Sequence, residues 1–240
     1  MKQMIFLWAA LCASLTGPAL AAEPREAKPE VAAKVLDTYA KCIVSQKASY
    51  ASSFVLTVGR LPQDEYDELI EPRCMKMWVG KLKMNGFRFR AALAEALIDR
   101  QPIALDSAEL GRVEPLNWLV PVPFTALDPD TGKQISDDEL PKARQAHDAK
   151  VAAYFDYLIG ECVVRSKPAS VLQLVGTKPN SAEELASFKE LSPHIVDCVP
   201  QGEAVRFLRA NLRAALATSY YRLAHAKAKP ELLTNTDASE

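Results

Sequence analysis

The sequence predicts an all-α fold of two tandem four-helix-like units, each closed by one disulfide and joined by a proline-rich connector. Three observations predict it. Val31-Ala32-Ala33 leads to Cys42-Ile43-Val44, and Val151-Ala152-Ala153 leads to Cys162-Val163-Val164, so the segment recurs at a displacement of 120 residues. A second cysteine follows in each copy, Cys74 in the first and Cys198 in the second. Each copy then carries the same pentapeptide, Arg90-Ala91-Ala92-Leu93-Ala94 and Arg213-Ala214-Ala215-Leu216-Ala217, within a stretch of helical periodicity.

Residues 1–21 read as a secretory leader. Lys2 supplies the positive end, Met4 to Leu15 is an apolar run too short to span a bilayer, and Ala19-Leu20-Ala21 is a small-x-small cleavage pattern, with Ala22 the neighbouring alternative. Cys12 lies inside this run after Leu11, whereas a lipoprotein signal wants a small residue before its cysteine. Removing the leader leaves Cys42, Cys74, Cys162 and Cys198. An exported chain meets an oxidising compartment, where four cysteines favour two disulfides. Three connectivities exist for four cysteines, and the repeat favours Cys42–Cys74 with Cys162–Cys198.

The first unit is expected over residues 29–101. Pro29 suits a first helical turn, and Val31, Val35, Leu36, Tyr39, Cys42 and Ile43 recur at three- and four-residue steps along one face. A short helical piece around Tyr50 to Val58 follows, stopped by Gly59. Pro62 opens a third helix whose Asp64 and Glu65 complement the positive end of its dipole; these acids read as a solvated helix start, not as paired catalytic carboxylates. After Cys74, the helix Asn85 to Gln101 buries Phe89, Leu93 and Leu97.

Residues 102–136 form the expected connector, dense in proline and carrying the apolar stretch Leu116 to Phe124. Pro129-Asp130-Thr131-Gly132 is turn chemistry, since proline sets φ, aspartate bonds the backbone and glycine takes positive φ. Asp128, Asp130, Ile135 and Glu139 also resemble an EF-hand calcium loop, but Gly132 stands where a ligand belongs and Lys133 where the loop bends on glycine.

The second unit is expected over residues 137–226, followed by a flexible tail, 227–240. Its long helix from Asp137 to Arg165 steps through Val151, Tyr154, Phe155, Leu158 and Cys162. Pro168 starts a short helix stopped at Gly176. Ser181-Ala182-Glu183-Glu184 is a capping box for a helix expected to end near Pro193. The last helix, Glu203 to Ala226, carries Leu212, Leu216, Tyr220 and Leu223 on one face.

The stretch RAALAEAL from Arg90 and the stretch LRAALATSYY from Leu212 resemble a motif of uncharacterised exported bacterial helical proteins, in which an Arg-x-x-Leu-Ala-x-x-Leu helix follows a cysteine. The resemblance covers these two helices and their cysteines. It implies export and a helical fold, and it carries no activity.

Functional chemistry is sparse. There is no nucleophile elbow, no Cys-x-x-Cys, no His-Glu-x-x-His and no phosphate-binding glycine loop. His194 and Cys198 are four apart, but a disulfide claims Cys198, and no metal site or cofactor is expected. With 29 basic and 30 acidic residues interleaved along the chain, no nucleic-acid footprint exists. No later apolar run is long enough to cross a membrane, so no stable insertion is expected after cleavage. Arg206, Arg209 and Arg213 fall on one stripe of the last helix, and Arg88 and Arg90 on its counterpart. Arg90, Arg209 and Arg213 are the candidate ligand-binding residues, for an anion or polar ligand between the units; the competing reading is a solvated face. The expected function is that of an exported, periplasmic or secreted, non-catalytic helical protein that binds a protein partner or supports the envelope. The alternative is a periplasmic small-ligand or calcium-binding protein using the inter-unit groove or the Asp128 loop.

Overall fold

In the computed structural model, residues 28–59, 63–75, 86–128, 131–200 and 207–233 are described. The expected leader, Asp130 of the loop and Arg206 of the arginine stripe lie outside them. Every regular element among the described residues is helical: α1 (Pro29–Leu56), α2 (Gln63–Leu69), α3 (Gly86–Arg100), α4 (Ser107–Leu110), α5 (Leu140–Ser166), α6 (Pro168–Val175), α7 (Ala182–Asp197) and α8 (Arg209–His225). Short 3₁₀ turns at Pro72–Met75 and Pro230–Leu232 complete the set. No helix among the described residues is long and apolar enough to cross a membrane.

The repeat is visible in how the long helices break. Lys47 leaves helical geometry inside α1 (φ −136°, ψ 45°), and Lys167, 120 residues on, does the same between α5 and α6 (φ −140°, ψ 58°). At Lys167 the cause is local, because the ring of Pro168 disfavours the α region for the residue before it. Ala48 gives Lys47 no such push. There the break is held from outside, by the Lys47 ammonium on the Glu68 carbonyl (2.5 Å) and near the Glu71 carboxylate (3.6 Å).

Each copy carries one disulfide. Cys42–Cys74 ties α1 to the Pro72–Met75 turn with a Cα separation of 5.7 Å, and Cys162–Cys198 ties α5 to the end of α7 at 5.8 Å. The loops they close span 32 and 36 residues.

The halves are not separate bodies, because one buried apolar cluster runs from Tyr39 and Phe89 through Ile159 and Val163 to Leu216 and Tyr220. Its centre is α8, which packs on α5, α3, α6 and α1 and is buried on every side from Leu212 to Leu223. The closest approach lies at Gly160. A Cβ there would sit 2.9 Å from the backbone carbon of Ala215, so only glycine lets α5 and α8 meet.

Several expectations need correction. The buried face of α5 is Asp156, Ile159, Gly160, Glu161, Val163 and Val164, whereas Phe155 and Leu158 face outward. That face sets Ile159 and Val163 among Gly160 and two acids, which interrupts the apolar stripe. Val31 is likewise exposed. Pro193 does not end α7, which continues to Asp197. The expected tail from Lys227 begins with a docked segment: Leu232 is buried, its carbonyl accepts the Asn117 N–H (2.6 Å), and Leu233 bridges to Leu116.

The proline-rich stretch is extended apart from α4, whose N-cap Asp106 accepts the Ala108 N–H. Arg165 fastens it to α5 by donating to the carbonyls of Leu110 (2.5 Å), Val113 (2.8 Å) and Glu114 (2.7 Å). Glu161, paired with Arg165 at 2.7 Å, takes the Leu116 N–H (2.9 Å) and the Trp118 indole N–H (2.7 Å). Further on, Leu127 bridges to Gln134 around a turn in which Gly132 has φ 67°.

Candidate functional site

α3 and α8 carry the same pentapeptide, and the structure puts its two arginines to different uses. Arg213, 4% exposed, is saturated. Its Nε and Nη2 hold both oxygens of Glu95 on α3 at 2.9 and 2.8 Å, and Nη1 reaches Glu184 at 3.3 Å. It also donates to the carbonyls of Leu174, Val175 and Thr177, at and just beyond the end of α6, where the helix dipole is negative. Burial works against the Arg213 charge, but Glu95 and Glu184 outweigh it and hold its pKa up. Glu184 is placed by the capping box: Ser181 accepts the Glu184 N–H at 3.1 Å, and Glu184 accepts the Asn180 N–H at 3.0 Å. Arg209, at the rim, pairs with Glu184 (3.2 Å) and donates to the Asn180 side chain (3.3 Å). A cavity of about 450 Å³ opens beside this network, with Asp37, Arg88 and Arg209 in its wall.

Arg90 lies in a different setting. Its guanidinium stands 5.0 Å from the centre of the Phe54 ring and donates through Nη2 to the Gly59 carbonyl at 3.0 Å. Gly59 has φ 97°, a conformation glycine adopts without the usual Cβ penalty, and this turn aims its carbonyl at Arg90. Among the described residues no carboxylate pairs with Arg90, and burial lowers its pKa.

Arg222 closes the floor. It donates from Nε to the Val55 carbonyl (2.9 Å) and from Nη2 to the Thr57 carbonyl (2.6 Å), and covers the Trp118 ring at 4.6 Å. Burial, then the charge of Arg90, lowers its pKa to about 9. Trp118 stacks on Tyr157 at 4.2 Å with 5° between planes, and Phe87 leans on Tyr157 at 5.0 Å. The cavity between these groups measures about 820 Å³, within the range of small-molecule sites. Arg90, Lys150 and Arg222 contribute to its wall, and among the described residues no aspartate or glutamate does. Glu161 stands behind Trp118 with its oxygens taken by Arg165, Leu116 and the indole.

The structure thus divides the expected arginines: Arg213 is in an internal ion network, Arg209 at its edge, and Arg90 in an aromatic cleft. It brings in Arg222, Trp118 and Tyr157, which sequence reasoning passed over. The available signals were an arginine between Tyr221 and Leu223 in an apolar helix, and a tryptophan in the apolar run of the connector. In the Asp128 loop, Asp128 accepts from the Thr131 N–H and hydroxyl at 2.7 Å each, and Glu139 accepts from Ser136 at 2.9 Å. No grouping of three His, Cys, Asp or Glu side chains suited to a metal ion occurs among the described residues.

No protein-family model, curated protein or solved structure matches the chain.

Proposed function

We propose that this chain is an exported small-molecule-binding protein, built from a duplicated helical unit, whose site is the aromatic cleft at Arg90. The observation that carries the reading is the cleft's composition: a cavity of about 820 Å³ with Arg90 and Arg222 against stacked aromatic rings and, among the described residues, no acidic side chain in its wall. Aromatic walls with a few fixed polar groups are the usual make-up of a ligand pocket. Two disulfides support an oxidising compartment, and so does the leader-like start of the sequence. The cleft is preferred to the Asp128 loop because Asp128 and Glu139 already hold partners within that turn.

A mixed panel of small acids, bases and neutral compounds, screened by NMR on protein with 19F-labelled tryptophan, tests the reading. Binders should move the Trp118 resonance, and Ala153→Phe, which fills the cleft wall, should remove the response. A panel in which no compound of any charge moves that resonance would overturn it.

A second reading, a protein-docking module, is favoured by the lip of the cleft. Leu119, Val120 and Val122 are 63%, 69% and 77% exposed in one short run.

A further inference from the structure

We infer that the ligand of the Arg90 cleft is an amphipathic carboxylate, with its head on Arg90 and its apolar body beneath the Leu119–Val122 strip. The inference rests on the small-molecule reading above and goes further by naming the ligand's chemistry.

The repeat itself supplies the argument. Aligned without a gap, Arg90-Ala91-Ala92-Leu93-Ala94-Glu95 matches Arg213-Ala214-Ala215-Leu216-Ala217-Thr218. Arg88 on α3 and Asn211 on α8 also match, and they touch each other at 3.0 Å, as equivalent residues do beside a local two-fold axis. About such an axis, the relation of Glu95 to Arg213 becomes that of Thr218 to Arg90. Glu95 gives Arg213 a two-pronged carboxylate at 2.9 and 2.8 Å. Thr218 has no charge to give, and its hydroxyl donates to the Ala214 carbonyl. Among the described residues, the chain therefore supplies a carboxylate to one arginine and leaves the matching place beside the other without one.

The surroundings agree with a carboxylate arriving from outside. A buried guanidinium gains most from an anion that takes two of its N–H groups at once. Arg90 spends Nη2 on Gly59, and the repulsion between Arg90 and Arg222 would be relieved by an anion beside them. Lys150 in the wall adds to the attraction. Beyond the charges the cleft is apolar, ending at the exposed side chains of Leu119, Val120 and Val122, which an aliphatic or aromatic body would cover. A cationic ligand would meet three positive groups there and, among the described residues, no acid.

The test is calorimetric titration of the mature protein with dodecanoate, dodecanol, dodecyl phosphate and dodecyltrimethylammonium. Dodecanoate should bind about tenfold or more tightly than dodecanol, the gain expected of a charged hydrogen-bond pair. In Arg90→Gln the acid should lose its advantage over dodecanol, and a circular dichroism spectrum and thermal midpoint close to the parent's separate lost recognition from lost folding. Thr218→Glu, which installs the missing internal carboxylate, should also abolish the preference. Equal binding of acid and alcohol by the wild-type protein overturns the inference, as does a preference that survives Arg90→Gln. Tighter binding of dodecyl phosphate than of dodecanoate overturns the carboxylate assignment. Neutral compounds that bind with no charge preference would sink this inference and leave the small-molecule reading standing; failure of every compound would sink that reading as well.

Discussion

Arg88 donates to Asn211 across 3.0 Å, and the two residues hold the same place in the two copies of the repeat. Equivalent residues meet in this way only where the copies face each other. The seam between them is α3 against α8, and α3 and α8 both contribute to the buried Arg213 ion network and to the aromatic cleft.

Arg213 should be the most sensitive charged position. Removing it leaves Glu95 without its cation and Glu184 with only the rim residue Arg209, and breaking a buried pair from one side costs about 3–5 kcal/mol. Arg213→Met should lower the urea midpoint by a corresponding amount. Arg213→Lys should recover only part of the loss, since a single ammonium cannot reproduce the fork that holds Glu95. A change below 1 kcal/mol in either variant would contradict this account of the seam.

The α5–α8 contact predicts a steric effect of one methyl group. Gly160→Ala would place its Cβ 2.9 Å from the Ala215 backbone, with no flexible side chain able to move aside. Overpacking of this kind costs about 1–3 kcal/mol, to be read from equilibrium denaturation. A variant as stable as the parent would show that the helices have room to separate.

Asp156 gives the fold a dependence on pH. Burial lifts its carboxyl to about 6, with the Asn211 hydrogen bond working the other way. Between about pH 4 and 6 the folded chain holds a proton that the unfolded chain releases. The stabilisation is complete below the lower value and is lost as pH rises through the upper one, amounting to about 2–3 kcal/mol. Asp156→Asn, which cannot ionise, should therefore be more stable than the parent at pH 7.5 and close to it at pH 4. Glu71 slopes oppositely, since Arg73 holds its carboxyl down to about 2, so the difference between variant and parent is the quantity to measure.

Reduction should weaken the fold at two places. Each bridge closes a loop of 32 or 36 residues, and the chain-entropy estimate gives about 3–4 kcal/mol for either. Single Cys→Ser pairs, Cys42 with Cys74 and Cys162 with Cys198, should each lower stability by a similar amount. Peptide mapping without reduction should recover the same two pairs, and crossed peptides would contradict the pairing.

The sequence was most informative where structure is local. Pro29, Pro168 and the Ser181 capping box mark helix starts that the structure contains, and the repeat pointed to the cysteine pairs it joins. The long-range features were harder to read. The inner face of α5 carries Asp156, Gly160 and Glu161, which no hydrophobic pattern would select, because that face works by close approach and by clamping the connector. Arg90 and Arg213 look alike on paper. What separates them is the sixth residue of the shared motif, Glu95 against Thr218, and its meaning emerges only once α3 and α8 are seen to touch.

The position of α8 along the chain has a consequence for how the protein is made. All the other helices of the core are synthesised before it, yet α8 fills the space between them. Until it emerges, the nascent polypeptide has surfaces on α3 and α5 that nothing covers, although α1 and α3 can already pack on each other. Completion of the core is thereby deferred to one late event, driven by contacts far apart in sequence, which is slower than local helix pairing. A chain whose core waits for its last helix holds only part of its packing through most of its synthesis, and a part-packed chain is easier to thread through a membrane pore than the finished fold.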